Sequence, residues 1–166
     1  MYKTQVAHAA YLLGYSYFET YLSDLARMIY RSRPAMLPKK KLLSFEQLLE
    51  CDDYDGVISS MIEKEILNSF YASMDKVVEY FKQKLHLSLA GEVEKKRIVK
   101  ADLIRNCLIH NTGRVDSRIA DVSEWKEGQT LMLSVSDVHS FGLDCRRISA
   151  SLSMQAKERY GIGDAI

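Results

Sequence analysis

The chain has 166 residues, 47% of them apolar and 27% charged, with 23 Lys and Arg against 22 Asp and Glu for a net charge of +1. That length and composition fit one domain with a sizeable core; they exclude a disordered chain and the strongly basic composition of a global nucleic-acid binder. Two prolines and eight glycines are too few for an all-β sandwich or barrel, which turns every 8–12 residues or so. The expectation is a single all-α domain over 1–166.

The first helix is predicted from about residue 3 to Arg33. Leu12, Tyr15, Leu22, Leu25 and Ile29 recur at helical spacing, and a second stripe holds Val6, Ala10, Leu13, Tyr17 and Met28. Two stripes make a wide apolar face, which neighbouring helices or a second subunit would cover. Pro34 and Pro38 end the helix, and Lys39, Lys40 and Lys41 follow in a loop.

Ser44-Phe45-Glu46-Gln47 reads as a capping box for a short helix through Cys51. Asp52 to Gly56 reads as a break. Ile58 to Leu85 then follows a helical pattern, as one helix or as two meeting near Ser69. Glu92 to Asn111 is the next helix, with acids in its first turn and Gly113 just past its end as a left-handed cap. A short helix is expected over Ser117–Trp125 and a turn at Glu127-Gly128-Gln129. Thr130–Ser134 is a candidate for one short strand, and Ser136-Asp137 is the expected cap of a last helix to about Arg159.

Cys51, Cys107 and Cys145 are odd in number and widely spaced. They suggest neither a disulfide framework nor a zinc site, and point to a reducing, cytoplasmic setting. The charge-free stretch Thr4–Phe18 is shorter than the roughly 20 apolar residues of a membrane helix, so no membrane partner is expected. His8, His86 and His139 have no metal-binding spacing, so neither a metal nor a cofactor is expected.

The segment Lys100–Ser117 (KADLIRNCLIHNTGRVDS) concentrates the chemistry. On a helix, Asp102, Asn106 and His110 fall at i, i+4 and i+8 and make one polar stripe. Arg105 stands about 60° from Asp102 and can lean over that stripe. An arginine fork holds phosphate oxygens bidentately, and an imidazole moves protons near neutrality. RNA brings its own nucleophile in the 2′-OH, so a base, an acid and a cation suffice for cleavage without a metal. The spacing alone is a short pattern and a weak signal.

Arg105-Asn106-x-x-x-His110, late in an all-helical domain, resembles the ribonuclease motif of the HEPN superfamily. His110-Asn111-Thr112-Gly113-Arg114-Val115-Asp116 is similar to the HNxGxVD tail of bacterial members, and a strand-like segment before a last helix is similar to the RiboL-PSP-type branch. The resemblance implies a helical bundle, a homodimer and a metal-independent endoribonuclease that leaves 2′,3′-cyclic or 3′-phosphate and 5′-OH ends. It also implies a role as a toxin or antiphage effector, with an antitoxin or regulatory protein as a further partner. By motif position Arg105 and His110 would be catalytic and Asn106 their polar support. Thr112 stands where one branch carries a tyrosine that an antitoxin modifies, so that control is not implied. Lys95, Lys96, Asp102 and Asn111 are the candidate RNA-contacting residues around the motif, with Asp102 also placed to orient Arg105 or His110. The alternative from another class is a non-catalytic HEPN module that binds a nucleotide, RNA or a partner protein.

Overall fold

Helix α1 (Tyr2–Ser32) is the spine of the fold. In the computed structural model, residues 2–38, 44–49, 51, 53–70, 72–89 and 91–162 are described, with the side chains of residues 2, 3, 45 and 47 set aside. The basic run Lys39–Lys41 lies outside the described residues. Tyr11, Tyr15, Phe18, Leu22, Leu25 and Ile29 share one buried face of α1, as their three- and four-residue spacing requires. Against that face pack α3 (Tyr54–Phe70), α5 (Glu92–His110) and α7 (Val135–Tyr160). The second α1 stripe has a different fate. Val6, Leu13 and Tyr17 are 50%, 56% and 68% exposed.

Pro34 ends α1 and opens a 3-10 turn over Pro34–Met36, where its missing N–H costs nothing. Helix α2 (Phe45–Leu49) follows. The predicted break at 52–56 ends earlier than expected, because Tyr54, Asp55 and Gly56 belong to α3. The Gly56 N–H donates to Asp53 Oδ1 at 2.8 Å, so Asp53 satisfies a first-turn donor and helix follows it at once. The long apolar pattern after it is two helices. Helix α4 (Met74–Gln83) starts after an extended Ser73.

Between α4 and α5, Leu85, Leu87 and Leu89 are buried in a non-helical segment. Its backbone is satisfied from α7, where the Gln155 amide accepts from Ser88 N at 2.8 Å and donates to Ser88 O at 3.0 Å. This is what a buried irregular segment needs. Helix α6 (Ser117–Ala120) is shorter than predicted.

The candidate strand at 130–134 is not one. Thr130 makes a single isolated antiparallel bridge with Arg114, and no strand occurs among the described residues. Leu131 and Leu133 are buried while Met132 is 58% exposed. That alternation mimics a strand, but among the described residues no neighbouring strand lies beside it to complete a ladder. Helix α7 is capped by Ser134 rather than by Ser136-Asp137. The Ser134 hydroxyl accepts from Asp137 N at 3.2 Å, and the Asp137 carboxylate accepts from Ser134 N at 2.7 Å. No described helix is long and apolar enough to cross a membrane.

Candidate functional site

Helix α5 buries Ile98, Ala101, Ile104 and Cys107 against its neighbours. Asp102, Asn106 and His110 therefore fall on a separate stripe. Asp102 is the centre of a hydrogen-bond network. Tyr15 Oη donates to its Oδ1 at 3.0 Å, Asn106 Nδ2 donates to the same oxygen at 3.3 Å, and Met74 N donates to Oδ2 at 3.3 Å. Met74 is the first residue of α4, whose own N-cap Ser73 makes no side-chain bond. A carboxylate from α5 thus satisfies a first-turn donor of α4, where negative charge is favoured.

The network continues to the candidate cation. Arg105 Nη1 donates to Asn106 Oδ1 at 2.8 Å. Its guanidinium carbon lies 5.8 Å from the Tyr15 ring centroid, and Nη2 is 3.9 Å from Glu19 Oε2. Asn106 thereby receives Arg105 on its oxygen and donates to Asp102 from its nitrogen, which fixes its amide orientation. The Arg105 side chain remains 30% exposed and lines a cleft of about 350 Å³ with Glu19, Arg27 and Glu63.

Burial raises the Glu19 carboxyl above its usual range, against the attraction of Arg105 and with further help from Asp102. The charged form is thus disfavoured on balance, and the cost is present above its raised pKa and relieved as pH falls through it. Glu19→Gln should therefore melt no lower than the wild type at neutral pH, with the difference shrinking on acidification. A clear loss of stability at neutral pH would show that the Arg105 pairing dominates instead.

His110 is exposed in the last turn of α5 and has no hydrogen-bond partner among the described residues. The chain after it is held firmly. Asn111 is the C-cap, and its Nδ2 donates to Asp116 Oδ2 at 3.3 Å. Gly113, at φ +75°, donates its N–H to Cys107 O at 3.0 Å, the left-handed closure expected after a helix. Leu131 N donates to Gly113 O at 2.7 Å, while Leu131 O is 3.1 Å from His8 Nε2 on α1.

Asp116 also accepts from Ile119 N at 3.1 Å as the cap of α6, and from Arg118 Nε and Nη2 at 3.1 and 2.6 Å. The Arg118 pairing is the main cause that holds the Asp116 carboxyl below its usual range. The Asp116 carboxylate likewise holds the Arg118 guanidinium above its usual range.

The predicted residues thus fall into groups. Arg105, Asn106 and Asp102 form one network, and Asn111 belongs to a second with Asp116 and Arg118. His110 stands between them in sequence and bonds to neither. Lys95 pairs with Asp75 at 3.0 Å and lines a separate groove with Lys96; neither joins the Arg105 network. Sequence reasoning assigned Tyr15 to packing and overlooked Glu19 and Arg118. Only the Asp116-x-Arg118 spacing beside the motif pointed to the last.

The thiols of Cys107 and Cys145 are not poised for nucleophilic chemistry. Burial raises Cys107 and pushes Cys145 up to about 12. No three His, Cys, Asp or Glu side chains cluster as metal ligands among the described residues. Comparison with protein-family models, with curated proteins and with solved structures finds no match to the chain. What is defined is an all-helical bundle carrying an arginine–histidine pair on one helix.

Proposed function

We propose that the chain is a HEPN-type, metal-independent endoribonuclease that works as a homodimer, as a toxin or antiphage effector. The observation that carries this reading is the contrast within one helix. Arg105 is oriented by Asn106 and Asp102, while His110, five residues on, is exposed and its imidazole bonds to no described residue. A fixed cation and a free imidazole are what transfer of a phosphodiester to its own 2′-OH requires.

In this mechanism one neutral His110 takes the 2′-OH proton. The 2′ oxygen forms a bond to phosphorus as the bond to the 5′ oxygen breaks. A protonated His110 from the second copy supplies the proton to that leaving oxygen. Arg105 stabilises the charge on the non-bridging oxygens throughout. The products are a 2′,3′-cyclic phosphate and a 5′-OH. RNA cleavage in EDTA with those ends is the test, and a folded dimer that leaves a broad RNA panel intact would overturn it.

The exposed α1 stripe supports the dimer. Val6, Leu13 and Tyr17 are open on the helix that also supplies Tyr15 and Glu19 to the Arg105 network. Leu13→Asp should yield a monomer by sedimentation and abolish cleavage. A monomeric variant that cleaves at the wild-type rate would remove the shared site from the mechanism. The internal bonds of Arg105 favour one rival, a non-catalytic module that binds a nucleotide, RNA or a protein. It predicts RNA binding without cleavage.

A further inference from the structure

A pocket of about 160 Å³ opens between α1, α5 and α7, lined by the rings of Tyr11, Phe141 and Trp125. Tyr11 and Phe141 stack at 4.6 Å between centroids. Two buried residues that carry polar groups line this pocket, Tyr11 and Asp144. Tyr11 is only 3% exposed and its hydroxyl bonds to no described residue; since no solvent-sealed side-chain oxygen lacks a partner among the described residues, the little exposure Tyr11 keeps includes that hydroxyl. Burial first, then nearby Cys145 and the carboxylates, holds that phenol protonated, so it remains a donor. Asp144 is 6% exposed, and among the described residues its side-chain oxygens receive a single nitrogen, Arg97 Nη1, at 3.1 and 3.4 Å. A carboxylate has about four acceptor sites, so capacity is left over.

Arg97 and Lys100 lead from this pocket into a groove of about 570 Å³ that also holds Lys95 and Lys96. Lys95 is paired with Asp75. Lys96 has no partner among the described residues, and Lys100 has only the Trp125 ring, 5.3 Å away. A pocket walled by aromatic side chains, with a donor and an acceptor that no described residue fills and Lys96 and Lys100 in the groove beyond it, is complementary to a base with a phosphate attached.

We propose that this pocket and groove bind a guanine nucleotide. Guanine alone among the common bases presents a ring N–H beside an exocyclic amino group, which together match the Asp144 carboxylate. Its carbonyl oxygen is an acceptor for the Tyr11 hydroxyl. The phosphate then meets Lys96 and Lys100. A free nucleotide and a guanosine within single-stranded RNA share this chemistry. The site does not depend on the ribonuclease reading.

Trp125 is the sole tryptophan, so its emission reports the pocket directly. Titration with GMP should change that emission saturably, with guanosine and AMP each binding about tenfold more weakly. Lys96→Ala should reduce GMP affinity to that of guanosine without altering the melting temperature. Tyr11→Phe and Asp144→Asn, checked for folding by circular dichroism, should erase the preference for GMP over AMP. A guanosine-containing oligonucleotide that binds tighter than GMP assigns the pocket to RNA, and the reverse order assigns it to a free nucleotide; both support the proposal. No emission change at millimolar GMP, equal binding of AMP, or affinity untouched by both Lys96→Ala and Tyr11→Phe overturns it.

Discussion

His110→Ala should lower the rate of RNA cleavage by about 10²–10⁴-fold, the range for loss of a positioned general acid–base group. If the site is composite, the substitution removes both imidazoles of the dimer at once, and the loss belongs to the upper part of that range. Arg105→Ala should cost about 10²–10³-fold, as expected for removing a cation aimed at developing charge. Arg105→Lys separates charge from geometry. Lysine keeps the positive charge but loses the planar fork that bonds Asn106 at 2.8 Å while leaving nitrogens for phosphate. It should recover only part of the alanine loss. The check is single-turnover cleavage in EDTA, with product ends mapped and each variant shown to be a folded dimer. Equal rates for wild type and His110→Ala would place the chemistry elsewhere. Binding retained with cleavage lost would agree with the proposed roles, since neither side chain is called on to supply most of the RNA affinity.

The helices were legible in the sequence where period and punctuation agree. The α5 boundaries, the polar stripe and the Gly113 cap follow from local chemistry, and local chemistry set them. Two errors have local causes as well. Ser136 and Asp137 are adjacent, so they cannot bond reciprocally as a cap and a third helical residue do; Ser134 and Asp137 have the spacing that can. Leu131 and Leu133 alternate like a strand, but a strand requires a partner, and the sequence does not disclose whether one exists. The site was legible only along its own helix. Asp102 meets Tyr15 across 87 residues and Met74 across 28. Such contacts are set by how α1, α4 and α5 pack, and periodicity carries no information about them. Tyr15 illustrates the limit. Its position on the buried stripe was readable, whereas the partner of its hydroxyl was not.

Asp102→Ala should be the most disruptive single change at the site for stability. It strands the Tyr15 hydroxyl, on a residue 1% exposed, and an unsatisfied buried polar group costs about 1–3 kcal/mol. It also removes the only side-chain acceptor for Met74 N, among the described residues, at an N-terminus that Ser73 does not cap, worth about 1 kcal/mol. The expected loss is about 2–4 kcal/mol, or roughly 4–16 °C in melting temperature for a chain of this size. Asp102→Asn keeps an oxygen for the Tyr15 hydroxyl and should cost less. Tyr15→Phe in the Asp102→Ala background removes the stranded donor and should restore part of the stability, so the double-mutant cycle isolates that bond. The same variants divide structure from function. Tyr15→Phe leaves the Asp102–Asn106–Arg105 chain intact and should cleave nearly as wild type. Asp102→Ala frees Asn106 and, through it, Arg105, and should lose activity even at temperatures where it is fully folded. If cleavage by folded Asp102→Ala matched the wild type, Arg105 would not need this support, and Asp102 would be a packing residue that happens to lie beside the motif.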